Sequence, residues 1–259
     1  MLLAQSRFWL PPDISTHGSS VDQLINVTHW FMGVLFVGWG AFFVYCLVRF
    51  RARPGHAADP RPIPAKTSKY AEIGVAIFEA VLLIGFSMPA WAQVKYQFPA
   101  EDKALTVRMT AEQFAWNFHY SGADGVWGRT DPKLIDPGNP IGLDLADPHS
   151  ADDVVTVNNL HIPVHQPIIV QLSSKDVIHS FWIPVLRVKQ DVIPGMSIPV
   201  WFEARETGEY DISCAQLCGN NHYKMRGRVM IKPADEFAKW LESEKVSRPL
   251  QPADQEFEL

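Results

Sequence analysis

The sequence predicts a helical membrane hairpin followed by an all-β domain outside the membrane. Three observations lead there. Two long apolar runs lie before residue 95, a strongly basic stretch separates them, and the remainder is a succession of short β-rich runs punctuated by Gly, Pro and Asp. A chain of 259 residues has room for one medium domain beyond the hairpin, and its formal net charge of -5 argues against a general nucleic-acid binder.

Residues 1–26 read as an external N-terminal segment. Its opening, M-L-L-A-Q-S-R-F-W-L-P-P, holds no apolar core long enough for a secretory signal, so export falls to a segment ahead of this numbering or to the first apolar helix. Residues 27–48 carry one Thr, one His and several Gly but no full charge, close to the ~20 residues that cross ~30 Å of hydrocarbon. Residues 70–94 form a second such span, interrupted by Glu72 and Glu79. A soluble hairpin of this length would show a polar stripe, and neither run does. The link at 49–69 sets Arg49, Arg51, Arg53, Arg61, Lys66 and Lys69 against Asp59 alone, which marks it as a cytoplasmic basic loop and puts both termini outside. Trp30, Trp91 and Tyr96 suit the outer interface.

The external domain is expected over 95–233. Its candidate strands are L-T-V-R-M, F-A-W-N-F-H-Y, D-V-V-T-V-N-N, Q-P-I-I-V-Q-L-S-S, H-S-F-W-I-P, S-I-P-V-W-F-E-A, G-E-Y-D-I-S-C and R-G-R-V-M-I, whose alternation favours an antiparallel sandwich or barrel. Residues 121–153, about half Gly, Pro and Asp, read as a long loop. In 234–259, Phe237, Trp240 and Leu241 recur at helical spacing before a frayed tail. Residues 95–259 hold 23 acids and 16 bases, a balance of -7 that would steer a basic partner, and Asp176 is the first acid to test for that role.

Three cysteines are too few for a disulfide framework, and Cys46, inside an apolar run, reads as packing. The chemistry lies in C-A-Q-L-C-G-N-N-H-Y-K-M, residues 214–225. Cys214, Cys218, His222 and Met225 combine thiolate, imidazole and thioether within twelve residues, which selects a soft metal and points to copper rather than zinc. A mononuclear blue-copper site uses one Cys, so the second calls for two copper ions bridged by two thiolates, each ion needing its own imidazole. The second imidazole is assigned to His179, at the end of an apolar strand. His119, His149, His161 and His165 are weaker candidates, in an aromatic strand, in the polar loop and beside prolines.

These two segments, D-V-I-H-S-F and C-x-x-x-C-G-x-N-H-x-x-M, resemble the dinuclear copper A motif of cytochrome c oxidase subunit II, and V-K-Q-D-V-I-P-G at Val188–Gly195 is similar to a family segment between them. With the hairpin, the resemblance runs from about residue 20 to about 245. It implies a cupredoxin-like barrel, bridging thiolates from Cys214 and Cys218, one copper held by His179 with Met225, and the other by His222 with the backbone carbonyl of Gln216. It implies an electron-accepting subunit of a terminal oxidase, fed by cytochrome c or another c-type or high-potential donor and feeding haem in oxidase subunit I, which reduces dioxygen with proton translocation. Further oxidase subunits and a respiratory supercomplex are implied as surroundings, in a bacterial inner membrane.

Three positions depart from that pattern. Where the family places a Glu that also binds magnesium at the interface with subunit I, this chain has Gln216, which offers an oxygen without the charge. Where it places the Trp that receives electrons, this chain has Phe114, with Trp116 two residues on. Glu79 stands where the family often has Pro, and Glu72 matches a family Glu at the entrance of a proton channel. A charged carboxylate at Glu79's depth costs about 2.5–3.5 kcal/mol, so it is expected to be protonated, paired or turned toward protein. Rival readings are the copper A domain of a nitrous oxide reductase, opposed by the two spans; subunit II of a quinol oxidase, opposed by the full ligand set; and a membrane-tethered copper carrier, opposed by ligands framed by strands.

Overall fold

The computed structural model describes residues 10–55, 57 and 66–244. Asp59 and Arg61 of the basic loop, the opening residues 1–9 and the tail beyond 244 lie outside the described residues. The chain divides into a helical unit, Ser19–Gln97, and a β unit formed by the residues on either side of it.

The first helix, α1, spans Gly18–Arg49, beginning well before the apolar stretch that marks it in the sequence. Hydropathy locates the hydrocarbon-crossing part of a helix and not its ends. At ~1.5 Å per residue, 32 residues reach ~48 Å, so polar turns project beyond a ~30 Å core. The second apolar segment is α2, Lys66–Leu82, and α3, Met88–Tyr96, joined by a π-helical turn at Leu83–Ser87. In that turn the Met88 N–H donates to the Leu83 carbonyl, five residues back. The cause is Pro89, which has no N–H for the Gly85 carbonyl and whose ring would crowd it; the wider turn just upstream relieves both. Phe31 of α1 stacks on Phe78 of α2 with ring centroids 4.0 Å apart. Both helices are long and apolar enough to cross a membrane, and their outward side chains, Trp30, Phe36 and Phe43 among them, form an apolar surface unsuited to water.

The β unit is a sandwich of two five-stranded sheets. One has the order β3 (Val154–Val157), β2 (Ala115–Tyr120), β1 (Leu105–Glu112), β5 (Pro167–Ser174), β8 (Ile198–Glu203). The other runs β4 (Asn159–Pro163), β10 (Arg226–Lys232), β9 (Gly208–Cys214), β6 (His179–Ile183), β7 (Val188–Val192). The alternation read in the sequence fills the space between them: Val107, Met109, Trp116, Phe118, Ile168, Val170 and Phe202 from one sheet meet Leu160, Ile162, Phe181, Ile212, Val229 and Ile231 from the other.

Two details differ from the expectation of eight antiparallel strands. Two pairings are parallel, β1 with β5 and β10 with β4. The chain leaves one sheet at Asn158, whose left-handed φ of 61° turns β3 into β4, and returns after His165 (φ 58°) to lay β5 beside β1 in the same direction. Asn158 fixes that corner by bonding the Trp116 main chain on both sides and accepting from the Arg228 N–H at 2.7 Å. Strands β4 and β7 also had no strand signal. Asn159, His161 and Pro163 blur the first, and polar Lys189, Gln190 and Asp191 the second, an edge strand with water on one side.

Within the N-terminal segment, residues 13–15 pack onto the β unit. Ile14 is buried, Ser15 bridges to Ala204, and Asp13 pairs with Arg205 at 3.2 Å. At the other end, α4 (Ala234–Ser243) lays Phe237, Trp240 and Leu241 on the sandwich, with Trp240 stacked on His161 at 3.9 Å and 3°.

Candidate metal centre

The strand pairing of the second sheet assembles the site. Strand β6 opens at His179 and β9 closes at Cys214, and the two run antiparallel with Phe181 opposite Cys214. The histidine therefore stands beside the loop leading from Cys214 to β10. That loop folds back through a short turn at His222–Lys224, and the Cys214 N–H donates to the Met225 carbonyl at 3.2 Å, closing it at its base.

The sulfurs of Cys214 and Cys218 are 3.8 Å apart, near enough to share ions and too far for a bond, which needs ~2.05 Å. The sulfur of Cys218 lies 3.6 Å from Nδ1 of His222 and 3.7 Å from Sδ of the buried Met225. One candidate ligand atom from each of His179, Cys214 and Cys218 falls within 4.8 Å of the others, and the Gln216 carbonyl oxygen is 3.1 Å from the Cys214 sulfur. The residues predicted as ligands thus come together.

The surroundings fix these groups electrostatically. Nε2 of His179 lies 2.9 Å from Asp176 Oδ1, while its Nδ1 is buried without a hydrogen-bond partner. An imidazole held by a carboxylate at one nitrogen and bare at the other is the pattern of a metal ligand. Burial lowers the pKa of His179, but contacts with Cys214 and Asp176 outweigh that and raise it. For Cys214, burial opposes ionisation, yet the nearby imidazole of His179 and hydrogen bonds with the main chain at Ser180 and Gln216 bring the thiol down to about 6. Burial first, and the neighbouring charge of Cys214 second, push Cys218 up to about 12. Ionisation of one thiol therefore opposes ionisation of the other. Two sulfurs, two imidazoles, a thioether and an orphaned buried ring nitrogen fit a soft metal, and copper in particular.

The other sequence-selected residues are distributed differently. Asp176 is no free surface acid: its carboxylate also accepts the N–H groups of Gln113 and Val177, each at 2.6 Å, and so holds His179. Trp116 is fully buried, its ring 6.1 Å from His179 and 5.6 Å from Phe181. Phe114 is half-buried at the β1–β2 turn, against Gly219 of the ligand loop. Glu72 accepts from the Ser68 hydroxyl at 2.8 Å, and both Glu72 and Glu79 belong to the helical unit. His119 pairs with buried Asp153, His149 with Asp124, and His161 with Trp240. Two residues at the centre escaped sequence reasoning. Gln113 bonds the Cys218 carbonyl, and Gly219, with φ +139°, leaves room for it; the C-G dipeptide was the available signal.

The chain thus combines a β-sandwich, two helices long and apolar enough to cross a membrane, and a His–Cys–Cys group between strands that could hold a soft metal. The family model described as cytochrome C oxidase subunit II, periplasmic domain, matches residues 105–232. The alternative cytochrome c oxidase subunit 2 of Bradyrhizobium diazoefficiens is 36% identical over 93% of this chain and 86% of its own. Cytochrome c oxidase subunit 2 of Alkalihalophilus pseudofirmus is 28% identical over 81% of this chain, which spans 54% of that longer protein. Among solved structures, the periplasmic domain of subunit II of cytochrome oxidase (CoxB) of Bradyrhizobium japonicum is 30% identical, covering 56% of this chain and 95% of its own with a TM-score of 0.40. The chain belongs to the cytochrome c oxidase subunit II family, and so to the oxidoreductase complexes of which that subunit is part.

Proposed function

We propose that this chain is the electron-accepting subunit of a terminal oxidase, taking electrons from a cytochrome c-type donor and passing them to haem in a catalytic partner that reduces dioxygen to water. The observation that carries this is the pair of sulfurs 3.8 Å apart with an imidazole and a thioether beside one of them, and a second imidazole bare at its buried nitrogen. A dinuclear copper centre bound there would supply a one-electron carrier. Cys214 and Cys218 would hold it jointly, with His179 and Met225 as ligands on one side and His222 with the Gln216 carbonyl on the other. Asp176 orients His179, and the packed aromatic rings of Trp116 and Phe181 keep water from that side. Gln216 keeps a neutral oxygen for a magnesium ion shared with the partner, without the charge that would hold it firmly.

The donor meets the centre across a rim of Leu217 and Tyr223, which are 77% and 67% exposed, with Val177, Ile178 and the edge of Phe114. Apolar contact of this kind lets a redox partner dock and leave quickly, while the net acidity of the β unit steers it from a distance. The helices hold the chain in an inner membrane with the 49–69 loop inside and both termini outside. Glu72, with Glu79 deeper in the same span, serves proton uptake toward the partner; unchanged turnover and uptake in Glu72→Ala would remove that role. The test of the whole proposal is rapid mixing of the purified membrane complex with a reduced c-type cytochrome. The parent shows a fast electron-accepting phase ahead of haem reduction and Cys214→Ser lacks it; a variant that keeps that phase would overturn the proposal.

A further inference from the structure

The turn between β1 and β2 touches both halves of the metal centre, although it lies 63 residues from one and 105 from the other. The main-chain N–H of Gln113 donates to Oδ2 of Asp176 at 2.6 Å, and the second oxygen of that carboxylate lies 2.9 Å from Nε2 of His179. The side-chain Nε2 of Gln113 donates to the carbonyl oxygen of Cys218 at 2.5 Å. One residue thus reaches the imidazole side through its backbone and the thiol loop through its amide.

The contact is built from both ends. Gln113 is an exposed residue, and an exposed amide ordinarily spends its hydrogen bonds on water. Here it is directed at a main-chain carbonyl of the ligand loop. Gly219 clears the path: a Cβ there would sit 2.7 Å from the Gln113 amide nitrogen and 3.1 Å from Cζ of Phe114. Its φ of +139° is a conformation that side-chain-bearing residues rarely adopt. The Cys218–Gly219 peptide is therefore held by a donor on one side and by an unusual backbone angle on the other.

We propose that Gln113 is a positioning residue for the metal centre, its amide locking the Cys218–Gly219 peptide so that the Cys218 sulfur stays in reach of Cys214, His222 and Met225. This rests on reading the site as a two-thiolate metal centre. A locked peptide keeps the sulfur in one rotamer and one place, which a centre cycling between oxidation states needs in order to change geometry little. Without the amide, Cys218 samples outward orientations, and the metal is held by a looser set.

The test compares the full chain with Gln113→Met, which keeps length and bulk but has no side-chain N–H, and with Gln113→Ala. Both retain the main-chain N–H to Asp176, so only the Cys218 contact is lost. In the metal-free chain, the rate of Cys218 alkylation by iodoacetamide is measured relative to Cys214 in the same molecule. In chain loaded with copper salt, loss of copper to a chelator and the copper hyperfine splitting are followed. One lost hydrogen bond corresponds to about a tenfold change, so the Cys218:Cys214 ratio and the copper loss rate each rise about tenfold, with an altered hyperfine pattern. Parent-like ratios and spectra in both variants would overturn the inference. So would equal acceleration at Cys214 and Cys218, the mark of general loosening. If the parent takes up no paired copper while the thiol ratio still rises in Gln113→Met, the copper assignment fails and the positioning role stands.

Discussion

Replacing Asp176 by alanine strips His179, the Val177 and Gln113 N–H groups and the Ser174 hydroxyl of one carboxylate partner. In the folded chain Oδ1 faces Nε2 of His179 at 2.9 Å and accepts the Val177 N–H at 2.6 Å, while Oδ2 accepts the Gln113 N–H at 2.6 Å. The His179 side chain is fully buried, and Asp176 keeps about a third of its surface in water. Two stability contributions follow. A hydrogen bond to a charged group is worth about 1.5–3 kcal/mol, but partial exposure halves the pair with His179, and water can replace the carboxylate at the main-chain donors. A net loss of about 2 kcal/mol on unfolding is therefore expected. Loss of the partner that orients a metal-ligating histidine lowers metal affinity by about 10–100-fold. Asp176→Asn separates the two effects, because its carbonyl still accepts one N–H while the charge is gone. It is expected to recover much of the stability and little of the affinity. Urea unfolding of the metal-free chain followed by tryptophan fluorescence gives the first quantity, and competition against a copper chelator gives the second. Unfolding changed by less than about 0.5 kcal/mol, together with parent-like copper retention in both variants, would refute the role assigned to this carboxylate.

Three further outcomes follow from the same geometry. His161 is pushed down to about 4, first by burial and then by the charge of Lys232, so the folded chain holds it neutral. The unfolded chain takes up that proton near pH 6.5, so stability should fall by up to about 3 kcal/mol as pH drops from about 6.5 to about 4 and level off below, a drop that His161→Phe should remove if urea midpoints are compared across that window. Gly219→Ala should cost about 1–3 kcal/mol, since φ +139° strains any Cβ and the Gln113 amide occupies its space; an unfolding midpoint equal to the parent's would contradict this. Leu217→Glu should slow the reaction with a reduced c-type cytochrome without changing copper content, whereas unchanged kinetics would exclude the apolar rim as the docking face.

The fold was legible wherever one physical signal dominated. Apolar length marked both helices and period-two alternation marked most strands, because burial against a second sheet forces that pattern on Val107–Ala111 or Ile168–Leu172. Strand β7 was not legible, since an edge strand need satisfy only one neighbour and tolerates Lys189, Gln190 and Asp191. Nor was the parallel placement of β5, which depends on where the chain crosses between sheets at Asn158. In the site, the ligand set was readable because Cys214, Cys218, His222 and Met225 are close in sequence and chemically distinctive. What holds them was not. Gln113 acts from 105 residues away through a side chain found on every protein surface, and Asp176 looked like a steering acid because a sequence shows charge but not the donors around it. The packing of Ile14 and Asp13 onto the β unit was hidden for the same reason: a short polar stretch before a helix carries no mark of the groove that receives it.

Electron transfer by this chain requires two sulfurs sharing two metal ions. Copper analysis of the purified complex, with electron paramagnetic resonance of the oxidised chain, addresses that directly. Two copper ions are expected in this subunit, with a seven-line hyperfine pattern from one electron spread over both, lost in Cys218→Ser. A single copper with a four-line signal, or zinc in its place, would contradict it.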